Sequence, residues 1–179
     1  MYSEITQRIG APLFTLADLK GHMQVEHADD DTLIQLYLDA AIEYVEDVTR
    51  RVMNLANVSY QMDSFDDNYL DLAPIRIITT ITYTDSQNAT QTLAGYTLRG
   101  CELMHDDFPS ATKIVIDAVS GYGDVAGVVV DPPKTLQLAV YMLAAHFYEN
   151  REDTITGVNS TQIPKGVDSL IFKYRNYKA

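Results

Sequence analysis

Few side chains in this sequence are placed to do chemistry. His146 and Glu149 form an HxxE pair, and on a helix that spacing brings an imidazole and a carboxylate to one face, as in part of a zinc site. A metal hydrolase needs a further His or acidic ligand at matching spacing, as in HExxH, and none follows. The pair therefore reads as the polar edge of a helix. Asp29, Asp30 and Asp31 begin like a calcium loop, but Leu33 takes the fifth position and no Gly stands at the sixth. Helix capping accounts for them better. The doublets Asp66-Asp67 and Asp106-Asp107 have the groups for acid–base work, yet acidic pairs between strands are ordinarily solvated turns. Ser120 sits in SGYG without the flanking pattern of a GxSxG elbow, and neither GxxxxGK[ST] nor GxGxxG occurs. Cys101 and His105 lie four apart, a spacing that does not by itself activate a thiol, so Cys101 reads as a buried structural cysteine. These patterns lead us to expect no catalytic residue, no metal and no cofactor.

The elements that would hold such groups are better marked. Residues 132–150, PPKTLQLAVYMLAAHFYEN, predict a helix with Asp131 as its cap and Pro132 or Pro133 in its first turn. Leu136, Val140, Leu143 and Phe147 form one stripe, and Leu138, Tyr141, Met142, Ala145 and Tyr148 cover the opposite side. A helix apolar on two sides is either central to a core or packed between its own core and a neighbouring subunit. A second long helix is expected over 31–53, with Leu33, Tyr37, Ala40, Ala41, Tyr44, Val45 and Val48 on its apolar face. Asp29–Asp31 at its start and Arg50 and Arg51 at its end suit the helix dipole, and Glu46 with Arg50 and Asp47 with Arg51 are favourable i,i+4 pairs. A short helix over 16–23 is capped by Thr15.

Between the long helices the period changes to two. Ile75, Ile77, Ile81 and Tyr83 alternate with Arg76, Thr80, Thr82 and Thr84, with Ile78 as the exception. Further strands are expected over 59–65, 90–97 and 113–119, the last with Ile114, Ile116 and Ala118 on one side. The fold class is therefore α+β: a helical core of long N-terminal and C-terminal helices with an inserted antiparallel β region over 58–122. A polar loop over 154–162 and a short helix near 166–174 close the chain.

Composition narrows the function. A net charge of −12 with no cluster of Lys and Arg argues against a protein whose task is to grip nucleic-acid phosphates. A single cysteine excludes a disulfide framework and points to a reducing compartment. The start MYSEITQRIG lacks signal-peptide character and the longest apolar run is too short for a bilayer, so a soluble intracellular product without a membrane partner is expected.

The order of segments carries a resemblance. LADLKGHMQVEHADDDTLIQLYLDAAIEYVEDVTRR, LDLAPIRIITTITYTD, SGYG, PPKTLQLAVYMLAAHFYENRE and IPKGVDSLIFKYR together look like the head-tail connector proteins (adaptors, or head-completion proteins) of long-tailed bacteriophages and prophages. The resemblance runs from about Thr15 to Arg175, strongest in AAHFYENRE and the terminal PxGVxxLxxxYR-like stretch, and the β region is similar to the insertion of the family's longer branch. These are structural patterns without a catalytic signature.

The resemblance implies a single connector domain over 1–179, in a virion neck ring of identical subunits, dodecameric on the portal. Such a ring extends the DNA channel, passes DNA without specific binding, and presents a docking surface to a stopper or tail protein. Subunit or partner contacts are then expected at Tyr141, Tyr148 and Arg151 on the second face and end of the apolar helix. Val167, Leu170, Ile171 and Tyr174 add a C-terminal docking stripe on a flexible segment over 154–179. The alternatives are another phage tail-completion or terminator protein, expected to lead with sheet, and a small soluble metal-dependent enzyme.

Overall fold

A computed structural model describes residues 1–150 and 165–176 of the chain. The chain is α+β and divides into two compact units.

The first unit takes Met1–Ala11, Arg50–Asp131 and Asn176. Its strands are β1 (Tyr2–Arg8), β2 (Ala56–Met62), β3 (Ile75–Thr84), β4 (Thr90–Thr92), β5 (Thr97–Arg99), β6 (Glu102–Met104), β7 (Thr112–Ser120), β8 (Gly123–Val125) and β9 (Val128–Val130). Five of them form an antiparallel sheet in the order β1-β2-β7-β3-β4, while β5-β6 and β8-β9 are separate hairpins. Period two is kept in β7, where Ile114, Ile116 and Ala118 are buried and Lys113 and Asp117 exposed. They meet Val58, Tyr60 and Met62 of β2 and Ile81 of β3 in one core.

Two expectations for this unit need correction. In β3 the register shifts between Ile75 and Ile77 and again between Ile78 and Thr80. Each shift adds an unpaired residue and turns the side chains that follow. Ile78 consequently packs against the core and Ile77 is 46% exposed. The strand expected over 90–97 is only three residues long; the chain leaves the sheet and starts the β5-β6 hairpin instead. The N-terminal strand β1 has no counterpart in the sequence reading.

The SGYG bend is held by close backbone approach. Gly121 has φ +109°, its N–H donates to Pro74 O at 2.8 Å, and a Cβ there would lie 2.5 Å from Asn54 O. Only glycine fits such a position.

The second unit takes Pro12–Thr49 and the described residues of Pro132–Arg175. It comprises α1 (Leu16–Met23), α2 (Asp31–Thr49), α3 (Lys134–Glu149), α4 (Lys165–Ile171) and a final 3₁₀ turn (Phe172–Tyr174). Thr15 caps α1 as expected, its hydroxyl accepting from Asp18 N at 3.1 Å. Helices α2 and α3 pack together through Ile34, Leu38, Ala41, Ile42 and Val45 on one side and Leu136, Ala139, Val140, Leu143 and Ala144 on the other. Alanines on both helices allow the close approach. Burial of each large aliphatic side chain here contributes about 1.5–3 kcal/mol.

The ends of the long helices differ from expectation. Helix α2 stops at Thr49, because Arg50 takes a left-handed φ of +53° and Thr49 Oγ1 donates back to Val45 O at 2.6 Å. Arg50 and Arg51 thus lie beyond the helix, Arg50 with its Nε 3.8 Å from Asp71 and Arg51 donating to Tyr122 Oη. Helix α3 starts after Pro133, whose carbonyl accepts from Leu136 and Gln137, so exposed Asp131 is not its cap.

Candidate subunit and partner surfaces

His105, Cys101, His146 and Asp66, among the groups first considered for chemistry, are held in structural contacts. His105 Nε2 lies 3.1 Å from Ala94 O and its Nδ1 accepts from Asp107 N, which fixes the ring away from thiol activation. Cys101 Sγ instead receives Asn176 Nδ2 at 3.6 Å. The same amide donates to Asp71 O at 2.8 Å, and Tyr69 Oη donates to Asn176 Oδ1, so Asn176 clasps two segments of the sheet unit, one at Tyr69 and Asp71 and one at Cys101. On α3, His146 Nδ1 lies 3.1 Å from Asn150 Nδ2, which also donates to His146 O and closes the helix end. Ser120 is fully buried at the end of β7, and Asp66 accepts from Ser64 within a turn. Among the described residues no group of three or more His, Cys, Asp and Glu is gathered that could hold a metal, and no helix is long and apolar enough to cross a membrane.

The residues expected to meet subunits or partners separate into three sets. Tyr141 and Tyr148 are half-buried within the helical unit. The Tyr141 ring stands edge-on to Phe14, with centroids 5.9 Å apart, and stacks on His22 at 6.1 Å; burial raises its phenol pKa, and Asp18 adds to the rise. Tyr148 Oη donates to Asp30 Oδ2 at 2.8 Å. The second face of α3 is therefore partly covered by α1 and the turn before α2, leaving Leu138 43% exposed.

The C-terminal stripe divides. Val167 and Ile171 are fully buried inside the helical unit, where α4 packs on α3. A seven-residue helix with Val and Ile four apart has a single apolar side, and here that side faces its own unit. Leu170 and Tyr174 keep partial exposure, and Arg151 lies outside the described residues.

Three surface features were not expected. Leu33, Leu36 and Leu16 form the apolar part of an open groove bordered by Asp29, Asp30, Asp31 and Asp39. At the other end of the unit's sequence, Phe172 is 67% exposed, the largest value for a big apolar side chain among the described residues. In the sheet unit Val128 and Val129 are exposed on strand β9 of the β8-β9 hairpin, which Arg76 anchors by donating to Gly123 O and Val128 O.

The chain is α+β, with polar networks inside each unit and apolar side chains exposed on helix and hairpin surfaces. Residues 14–175 match the phage gp6-like head-tail connector proteins, and the chain belongs to that family. Its fold is similar to a chain in the virion of a native gene transfer agent particle, with a TM-score of 0.77 and 22% identity over 100% of this chain and 97% of that one. Chains in the necks of empty and native gene transfer agent particles, computed with C6 and C12 symmetry, each give a TM-score of 0.74 at 22% identity over the same shares. No curated protein matches the chain.

Proposed function

We propose that this protein is a structural, non-enzymatic component of a virion neck, where identical copies form a ring between the capsid portal and the tail. The observation that carries this reading is the family match over nearly the whole chain. The similarity to chains in particle necks with cyclic symmetry supports it. The ring extends the DNA channel and offers its far side to a stopper or tail protein, with twelve copies on the portal. An excess of carboxylates over cations suits a passage through which DNA slides without being held.

Imaging the necks of particles that carry the chain tests the proposal. A ring of this fold directly below the portal is the expected result; particles whose necks lack the fold, or that assemble normally without the chain, contradict it.

A further inference from the structure

Two exposed patches of the helical unit carry opposite charge around apolar side chains. In the groove at the start of α2, Leu36 is 61% exposed although the other side of the same helix is fully buried. Its carboxylates are only partly spent. Lys20 pairs with Asp31 at 2.6 Å, Tyr148 donates to Asp30, and Gln35 Nε2 donates to Asp39 at 2.9 Å, while Asp29 before the helix and Asp39 two turns into it remain exposed to a partner's cation.

The opposing patch is the C-terminal turn. The Arg175 guanidinium lies 5.5 Å over the Phe172 ring, and exposed Lys173 sits 4.8 Å from the Tyr174 ring centroid. Two cations beside an exposed aromatic are a distinctive patch in a chain with 13 Lys and Arg against 25 Asp and Glu. None of these residues lines the groove.

We infer that groove and turn are the two halves of one contact between copies of this chain: Phe172 of one copy seats on Leu33 and Leu36 of the next, and Lys173 faces Asp29 and Asp39. The inference rests on the ring reading above and names the surfaces that would build it. A closed ring needs a heterologous contact, in which two different patches of the same molecule meet. Groove against groove, or turn against turn, would set like charges together, so only the head-to-tail pairing is electrostatically matched. An exposed aromatic entering an apolar groove gives the contact its centre, and the rim charges select its direction.

Two full-length single-cysteine variants test this, Leu36→Cys and Phe172→Cys, each in a Cys101→Ala background and carrying different tags. They are mixed and oxidised, with Val129→Cys as an exposed control, while sedimentation of the unmodified chain reports ring formation. A disulfide joining the Leu36→Cys and Phe172→Cys chains, several-fold above either like pair and above the control, is expected. Lys173→Glu should lower that yield roughly tenfold and Asp39→Lys in the partner should restore it. A mixed disulfide no more abundant than the control overturns the inference, and a yield indifferent to the charge reversals overturns the charge pairing. Rings without the crosslink reject this contact and leave the ring reading standing; the crosslink without any closed species upholds the contact and rejects the ring.

Discussion

Tyr148 on α3 donates its hydroxyl proton to Asp30 Oδ2 at 2.8 Å, tying the end of one long helix to the start of the other. The bond sits beside the groove that Asp30 helps to line. It gives a side chain that sequence alone marks for a partner a role inside its own unit. Replacing Tyr148 with Phe removes this bond, so it should destabilise the protein by about 1 kcal/mol, read from the urea midpoint. Unchanged stability would mean that water satisfies both groups equally well.

The pairing of α2 with α3 makes Leu143 a demanding position, since it is fully buried between them. Leu143→Ala should cost about 2–5 kcal/mol. Leu143→Asp, which buries an unpaired charge, should abolish the cooperative transition of the helical unit. A well-folded Leu143→Asp protein, by circular dichroism and melting, would contradict the core assignment.

Much of this pairing was legible in the sequence, because both helices are long and periodic. The buried side of α2 was legible only in part. Of the expected face Leu33, Tyr37, Ala40, Ala41, Tyr44, Val45 and Val48, only Ala41 and Val45 reach the core, where Ile34, Leu38 and Ile42 join them, so the buried side lies about one residue round the helix. Two adjacent apolar stripes are degenerate in sequence, and the tertiary partner decides between them. Leu33, Tyr37, Tyr44 and Val48 keep partial exposure and Ala40 is exposed. Strand β1 was illegible because YSEITQR is polar and largely exposed on both faces, so neither period nor hydropathy marks it. In β3 the bulges break the alternation that sequence reading relies on. The C-terminal stripe was visible, but whether it covers its own helices or a partner depends on geometry that the spacing does not contain.

The two glycines Gly121 and Gly127 should respond differently to alanine. Both have positive φ, but a Cβ at Gly121 meets the Asn54 carbonyl whereas one at Gly127 meets open space. Gly121→Ala should cost about 3 kcal/mol or more through strain and clash, and Gly127→Ala about 1 kcal/mol. Equal costs in denaturant titration would contradict the close approach at the SGYG bend.

Asp85 organises the β3-β4 turn. Its Oδ1 accepts from the N–H groups of Ala89 and Gln87, and its Oδ2 from the Gln91 side chain. The Ala89 N–H foremost, with Gln91, holds the carboxyl below its ordinary value of 3.8. A depressed folded-state pKa means that the turn's contribution is present above the unfolded value and is lost as pH falls through the folded one. Carbon-detected titration should find Asp85 ionising below 3.8. A midpoint at or above that value would show that the turn bonds do not select the carboxylate.

Duplex DNA should bind the isolated chain weakly at physiological salt, since a charge of −12 offers no basic stripe to release counterions. Anisotropy titration showing tight binding with a steep salt slope would contradict a channel that lets DNA pass.

The central claim is that copies of this chain close into a ring, and native mass measurement over a rising concentration series tests it most directly. The account predicts one dominant closed species whose mass is a whole multiple of the 20.0 kDa chain and which stops growing as concentration rises. A chain that stays monomeric throughout, or that grows without limit into open filaments, would contradict it.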